Sequence, residues 1–422
     1  MSVKRILYSL VLYLIFPFVI FRLFWRSRSN PAYRQRIYER LGFVKNNSDK
    51  PVIWLHAVSV GETIAAKSLI EGLISQYPEH QILVTTTTPT GSDRVKALFK
   101  DRVAHVYFPY DLPGIIQRFL KRIKPHALII IETEIWPNLF AGCHKRDVPI
   151  FIVNARLSAK STQAYLKFKG LITETLSYAD KIAVRSNDDK KHFLQLGAKE
   201  SQIEVVGNIK FDFLIDNQLV TKGKKWKKQW GADRLVWVVA STHEGEDDKI
   251  LRIYSDLLNV VPELLLVLVP RHPERFDAVY DQCKKFKVQR HSLISENDGY
   301  KHFDGNIILG DSMGEMQSWF AVADVVFIGG SLVNTGGHNP LEAIAHGKPV
   351  VSGQYMFNFN DMLVELKIAG LLFSSKLEED ITKKLSDLLE LPRNSFVGKT
   401  QTIMQKNKGA TARLLGLIKA LI

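Results

Sequence analysis

The sequence predicts an α/β protein of two Rossmann-like, doubly wound parallel-sheet domains behind an apolar amino-terminal segment. Three observations lead there. Short, nearly continuous runs of Val, Ile and Leu alternate with longer helical patterns, as in parallel strands covered on both faces. The alternation lapses around Gly207–Arg234, where lysines gather, and then resumes. A length of 422 residues suits two such domains. Hydrophobic residues at 46% and charged residues at 24% exclude collagenous, disordered and multi-span membrane chains.

In the first half the expected strands are Val52–Leu55, Ile82–Thr86, Ala127–Ile131, Ile150–Val153, Lys181–Val184 and Ile203–Val206. Helical patterns at Ile64–Gln76, Gly91–Phe99, Leu112–Arg122, Pro137–Lys145, Phe168–Tyr178 and Asp188–Leu196 separate or follow them. In the second half the strands are Leu235–Ala240, Leu264–Val269, Ile307–Leu309, Val325–Ile328, Pro349–Val351 and Leu371–Phe373. Strands alternating with helices imply βαβ units with right-handed crossovers. Two domains of that kind should face each other across a cleft, with substrate at the carboxyl ends of the strands. The expected division is 1–25 as a membrane anchor, 26–215 as the first domain and 216–422 as the second. The stretch Ser395–Leu421 is a candidate to cross back onto the first domain.

Ile6–Phe21 is a run of 16 residues without a charge. A spanning helix needs about 20, a length reached through Trp25 only if Arg22 snorkels. Pro17 would kink such a helix, which a membrane tolerates better than water does. No small-residue cleavage site follows, which argues against a cleaved signal peptide. Lys4 and Arg5 precede the run, and Arg22, Arg26, Arg28, Arg34, Arg36 and Arg40 follow it, so the rest of the chain should be cytoplasmic. The run reads as a short anchor lying in or across the inner leaflet; an apolar helix packed on the body of the protein is the alternative.

The charge balance agrees with an anchor. Fifty-seven Lys and Arg against 43 Asp and Glu leave a net charge of +14, which calls for a polyanionic partner. Arginines beside an apolar anchor contribute about 1 kcal/mol each near an anionic lipid surface. No nucleic-acid-binding signature is present. Lys222, Lys224, Lys225, Lys227 and Lys228, with Trp226 and Trp230 among them, read as a solvated linker face. With only Cys143 and Cys283 there is no disulfide framework, a reducing compartment is expected, and both read as inert thiols.

Candidate chemistry lies where strands hand over to helices. Ser59-x-x-Glu62, Ser241-x-x-Glu244 and Ser312-x-x-Glu315 all have capping-box spacing, and Asn339-Pro340 suits an N-cap and first turn. Capping alone explains each one singly. It does not explain the paired glycines Gly329-Gly330 and Gly336-Gly337, which allow close backbone approach to a phosphate. The free amides of Met313, Gly314 and Glu315 would form such an anion site. Glu132 and Glu134 stand at the mouth of a buried strand, where a carboxylate must be paired, exposed or raised in pKa. Glu62, on a Gly-containing loop at the start of a helix, is placed to accept a proton from a hydroxyl. Arg271, beside His272 and Pro273, reads as a cation for an anionic ligand or as a surface salt bridge. Lys210 either reaches the cleft or solvates the linker. Asp247-Asp248 falls inside a predicted helix and reads as a solvated face, and no metal-ligand spacing is present.

The composite of Tyr33-Arg-x-Arg36, Glu39-Arg-x-Gly42, His56-x-Val-Ser-Val-Gly-Glu62, Thr88-Pro-Thr-Gly91, Tyr110-Asp-Leu-Pro113, Glu132-Thr-Glu-Ile-Trp-Pro-Asn138 and Asn154-Ala-Arg-Leu-Ser158 resembles the Kdo transferases. The resemblance continues through Pro270-Arg-His-Pro-Glu-Arg-Phe276, Met313-Gly-Glu315 and Gly336-Gly-His-Asn-Pro-Leu-Glu342, collinear over nearly the whole chain. It implies the two-domain GT-B fold. It also implies transfer of 3-deoxy-D-manno-oct-2-ulosonic acid (Kdo) from CMP-Kdo to a lipid A precursor, lipid IVA. That reaction takes place at the cytoplasmic face of the inner membrane, without cofactor or metal. By that resemblance the first domain, 26–215, binds the acceptor, Glu62 is the general base, and Glu132 and Lys210 stabilise the transition state. Pro270, Arg271, Met313, Gly314, Glu315, Asn339, Pro340, Leu341 and Glu342 bind the CMP moiety in the second domain. The choice of Glu132 over Glu134 rests on the resemblance alone.

Two other readings compete. One keeps the fold and substitutes another nucleotide sugar, such as a UDP-hexose, acting on a lipid acceptor. The other is a catalytically silent membrane-surface binding protein, against which the intact glutamates count. A dinucleotide dehydrogenase is disfavoured because no Gly-x-Gly-x-x-Gly follows the first strand.

Overall fold

The computed structural model describes residues 2–45, 48–212, 215–294 and 305–422. The chain forms two compact units, Met1–Asp212 with Asn407–Ile422, and Phe213–Lys406.

The first unit is built on seven parallel strands: β1 (Val52–His56), β2 (Gln81–Thr86), β3 (Ala104–Tyr107), β4 (Pro125–Ile131), β5 (Ile150–Ala155), β6 (Lys181–Val184) and β7 (Ile203–Val205). They are ordered β3-β2-β1-β4-β5-β6-β7. β1 is buried along its whole length, and its side chains alternate between two cores. Trp54 joins Phe119, Phe140 and Phe193 on one face. Ile53 and Leu55 join Leu69, Phe99 and Leu414 on the other.

The carboxyl-terminal stretch is two helices, Val397–Asn407 and Ala410–Lys419, with Gly409 between them at φ 76°. The second helix belongs to the first unit. Its Leu414, Leu415 and Ile418 share the core of Leu69, Ile70 and Leu73, and a Cβ on Gly72 would lie 2.5 Å from Leu415 Cδ1. Asp212 ties down its start, accepting from the amides of Gly409 (3.2 Å) and Thr411 (2.8 Å).

The second unit repeats the architecture with β8 (Val236–Thr242), β9 (Leu265–Pro270), β10 (Val288–Arg290), β11 (Ile307–Leu309), β12 (Val325–Ile328), β13 (Val350–Ser352) and β14 (Leu372–Ser374). All neighbours are again parallel, in the order β10-β11-β9-β8-β12-β13-β14. Two strands escaped the sequence reading, β3 and β10. Both are sheet edges, mostly half-exposed, with His105 in one and Gln289 and Arg290 in the other, so neither carries the apolar run of a covered strand.

The lysine-rich connector is a helix rather than a linker, although Lys224, Lys225 and Lys228 are exposed as expected. Asn217–Trp230 is a helix whose Trp226 and Trp230 are buried against Trp319, at ring separations of 4.4 and 6.2 Å. Lys222 pairs with Glu315 (2.6 Å) and Lys227 with Asp324 (3.0 Å). Tryptophans four residues apart share one helical face, and lysines between them cover the other. Residues 213 and 214 of this stretch lie outside the described residues.

At the amino terminus one helix, Val3–Ser29, runs 27 residues and continues through Pro17, well beyond the expected Ile6–Phe21. It has two faces. Ser9, Leu23 and Ser27 are buried, whereas Leu7, Leu10, Leu14, Phe18, Phe21 and Trp25 form an exposed apolar stripe at helical spacing.

Candidate active site

In the first unit the strand order reverses between β1 and β4, the place where doubly wound sheets open a crevice at their carboxyl ends. The loops after these two strands carry Glu62 and Glu132–Glu134. Glu62 sits in the first turn of the helix Val60–Ala65, whose N-cap is Ser59; the Glu62 amide donates to Ser59 Oγ at 3.3 Å. The expected cap is therefore present. The carboxyl, however, reaches past Ser59 and accepts from the Val58 amide at 2.6 Å, with the Ser59 hydroxyl at 3.4 Å. Burial, and then the charge of Glu132, push Glu62 up to about 8 in spite of those bonds. An ordinary solvated cap stays ionised at neutral pH; this carboxyl holds its proton.

Glu132 begins directly after β4 with φ 62°, a left-handed conformation uncommon for a non-glycine residue and costly unless the surroundings impose it. Its amide donates to the Val153 carbonyl (2.9 Å). Its carboxylate lies between Lys210 Nζ at 3.1 Å and Arg156 Nε at 3.6 Å. Lys210 stands in the short turn Ile209–Phe211. That turn is held by Asn208 Oδ1, which accepts from the Lys210 amide (3.1 Å), and by Asn154 Oδ1, which accepts from the Ile209 amide (3.2 Å). Glu134 differs: it has no ion-pair partner among the described residues, and burial raises it to about 7. Of the three carboxylates, Glu132 is paired and Glu62 and Glu134 are raised. Arg156 was quoted in a motif but given no role; its long-range partner was invisible in the sequence.

His56, from the same motif as Glu62, is a core residue. It is fully buried, stacked on Phe108 with ring centroids 3.8 Å apart, bonded to Thr85, and driven down to about 3 by burial. Cys143 and Cys283 are buried free thiols, both raised by burial.

In the second unit β9 ends at Pro270. Arg271 donates its amide to the Thr242 carbonyl (3.0 Å), and its guanidinium has no ion pair among the described residues. The neighbouring salt bridge is made by Arg275, which pairs with Asp247 and donates to the Thr242 carbonyl at 2.7 Å. Asp247 is buried and also accepts from the Thr242 hydroxyl (2.7 Å). The reading of Asp247 as solvated is corrected: a helix's first turn can face the sheet as well as water.

Glu246 was missed entirely. It is fully buried, and its carboxylate accepts from the amides of His243 (2.8 Å), Gly330 (2.6 Å), Ser331 (3.0 Å) and Leu332 (2.8 Å). The expected Ser241–Glu244 box does not form; of the paired glycines, the Gly330 amide donates to this internal carboxylate and the Gly329 amide to the Ala240 carbonyl (2.8 Å). Gly329 is required by packing, since a Cβ there would lie 2.4 Å from the Ser241 carbonyl oxygen.

The remaining predicted residues sit on two loops. Met313 is exposed, and Gly314 takes φ 85°. Glu315 precedes the helix Met316–Val322. Burial would raise its carboxylate, but hydrogen bonds from His291, Lys222 and Ser312 together hold it at about 2. The Ser312 hydroxyl meets that carboxylate, and no side-chain cap closes the helix, so this box too is absent. Asn339 Oδ1 accepts from the Leu341 amide (3.1 Å) at the start of the helix Leu341–Ala345, one position before Pro340, its N-cap. Leu341 and Pro340 are buried, and Glu342 is half-exposed in the first turn. Arg271 lies close enough to His243 and His338 to lower both their pKa values after burial has done so. No group of three His, Cys, Asp or Glu residues among the described residues has the arrangement of a metal site.

Comparison with known proteins matches the same two halves. Residues 35–213 match the family of 3-deoxy-D-manno-octulosonic-acid transferases (kdotransferases), and residues 302–409 match the group 1 glycosyl transferases. A 3-deoxy-D-manno-octulosonic acid transferase of Haemophilus influenzae is 41% identical over 98% of this chain and 98% of its own length. One from Bordetella pertussis is 36% identical over 75% of this chain and 74% of its own. Among solved structures, Acinetobacter baumannii MurG superposes with a TM-score of 0.54 over 88% of this chain and 99% of that one. At 11% identity this shows the shared GT-B fold alone.

Proposed function

The chain belongs to the 3-deoxy-D-manno-octulosonic acid (Kdo) transferases, and from that membership we propose that it moves Kdo from CMP-Kdo to the lipid A precursor lipid IVA, with inversion of configuration. Glu62 is the base that takes the proton of the acceptor hydroxyl as the oxygen attacks the anomeric carbon. CMP leaves from the opposite face, so a single displacement inverts that carbon. Glu132 and Lys210 stabilise the transition state. Pro270, Arg271, Met313, Gly314, Glu315, Asn339, Pro340, Leu341 and Glu342 hold the CMP moiety, with Arg271 supplying positive charge to the departing phosphate.

One observation carries the reading. Glu62, at the switch point of the first sheet, is a partly buried carboxyl poised near 8 beside the ion-paired Glu132. A base is most effective when its pKa lies near the working pH, and burial with a like charge nearby is how a glutamate is brought there. Capping alone leaves that placement unaccounted for.

The helix Val3–Ser29 is long and apolar enough to serve as an anchor. Its exposed stripe of Leu7, Leu14, Phe18 and Trp25 supports a position in the cytoplasmic leaflet of the inner membrane, with the following arginines at the anionic surface.

The test is mass analysis of the product formed by purified protein from CMP-Kdo and a tetraacylated lipid A precursor, together with nucleotide-dependent thermal shifts. A Kdo adduct and protection by CMP rather than UDP are expected. Protection by UDP with no adduct would reassign the donor.

A further inference from the structure

The motifs Tyr110-Asp-Leu-Pro113 and Pro137-Asn138 have no part in the chemistry above, yet their polar side chains are almost wholly buried. Asp111 and Asn138 retain 4% and 6% of their exposure. Asp111 accepts from the first amides of the helix Pro137–His144: Asn138 to Oδ2 at 3.0 Å and Leu139 to Oδ1 at 2.7 Å. Asn138 Nδ2 returns a bond to the Asp111 carbonyl at 2.7 Å, which fixes the orientation of its amide.

Two groups of the amino-terminal helix complete this cluster. The Tyr8 hydroxyl donates to Asp111 Oδ2 at 3.1 Å. The Ser9 hydroxyl, buried, lies 3.1 Å from Asn138 Oδ1 and shares its hydrogen with the Arg5 carbonyl at 2.8 Å. Further contacts flank them: Ser2 Oγ donates to Glu174 Oε2 at 2.5 Å, and the Phe16 ring meets Tyr110 edge-on at 5.4 Å. A helix that served only as a tether would have no need of buried polar bonds to the body of the protein, because each polar group taken from water must find a matching partner.

What those bonds hold matters for the site. The segment Glu132–Trp136 is fixed at both ends and also at Thr133, whose hydroxyl donates to the Arg156 carbonyl and accepts from the Arg156 amide at 3.2 Å. At one end the Glu132 amide is bonded to Val153 in the sheet. At the other, the Trp136 carbonyl starts the helix Pro137–His144 through the Phe140 amide (3.0 Å), and Asp111 and Asn138 pin that helix start. Loosening the second end frees the part after Thr133, which bears Glu134 and lies two residues from Glu132.

We propose that Tyr8 and Ser9 of the amino-terminal helix are positioning residues for the transfer reaction, bracing Asp111 and Asn138 so that the helix packed against the unit sets the backbone carrying Glu132 and Glu134. The inference rests on the site assigned above. It makes the apolar helix a structural member of the catalytic loop as well as a membrane contact.

The test uses the full-length protein in detergent micelles with CMP-Kdo and a tetraacylated lipid A precursor. Tyr8→Phe/Ser9→Ala is compared with Leu7→Ser/Leu14→Ser, which alters only the exposed stripe. The inner-face pair is expected to lower kcat about tenfold, a modest value for sub-ångström misplacement, with the KM for CMP-Kdo unchanged. Amide hydrogen exchange across 132–139 should quicken in the same variant. The outer-face pair should retain kcat and the wild-type exchange pattern. Unchanged exchange at 132–139, quickened exchange with kcat intact, or an equal fall of kcat in the outer-face pair would each overturn the proposal. A wild-type protein inactive with CMP-Kdo would instead refute the functional reading, and the exchange comparison would still decide whether the brace exists.

Discussion

Lys210 Nζ stands 3.1 Å from Glu132 Oε1, and that contact divides the three carboxylates at the first unit's switch point into two kinds. Glu132 has a cation on either side; among the described residues Glu62 and Glu134 have no ion-pair partner, and both are raised by burial. A paired carboxylate is a poor base, because its partner stabilises the charged form. A raised one is a good base, because its conjugate acid is stable near neutrality.

Glu62→Gln keeps the shape of the side chain and removes its ability to take a proton. We expect kcat to fall by about 10²–10⁴-fold, while calorimetry shows CMP affinity unchanged. Near-wild-type turnover would remove Glu62 from the base role.

The activity of the free enzyme should rise with pH through about 8 as Glu62 ionises, seen as the rising limb of kcat/KM. Glu132 is the second cause of that high value, after burial. Glu132→Gln should therefore shift the limb to lower pH even as it lowers the plateau. A limb that stays in place would show that burial acts alone.

The same shift has a stability consequence. An unfolded glutamate ionises near 4.5, whereas folded Glu62 holds its proton to about 8. Between those values the native state binds the extra proton, so wild-type stability declines as pH rises through the window. Glu62→Gln has no such titration. Its melting temperature relative to wild type should climb between pH 5 and pH 8, and a constant difference across that range would contradict the assignment.

The two neighbouring arginines of the second unit should part company on mutation. Arg271→Ala removes a cation with no ion pair among the described residues, and we expect weaker CMP binding by about 10–100-fold, the range of a charged hydrogen bond, with little change in melting temperature. Arg275→Ala leaves the buried Asp247 carboxylate without its partner. It should cost about 3–5 kcal/mol of stability, read by denaturant unfolding. Equal effects of both on CMP affinity would place Arg275 in the binding face as well.

Much of the fold was legible because covered parallel strands are apolar on both faces, which leaves an unmistakable run of Val, Ile and Leu in β1, β4, β8 and β9. Edge strands β3 and β10 have one uncovered side and lost that run. The helix Asn217–Trp230 was hidden by its lysines, since composition outweighed the spacing of its two tryptophans. Glu62, Glu132 and Glu134 stood out by their place in loops that follow buried strands, whereas the choice of Glu132 over Glu134 came from the family resemblance alone.

By itself the sequence determined the alternation of elements, the apolar amino-terminal helix and the loops that carry the acids, all consequences of local periodicity and of which residues tolerate burial. The tertiary structure decided which charges meet. It brought Lys210 and Arg156 to Glu132, put Glu246 under the Gly330 turn, gave Asp247 to Arg275 and joined Tyr8 to Asp111. The physical reason is that hydrophobic burial is written residue by residue along the chain. An electrostatic or hydrogen-bonding partner is set by proximity in space, which exists only once the sheets have formed.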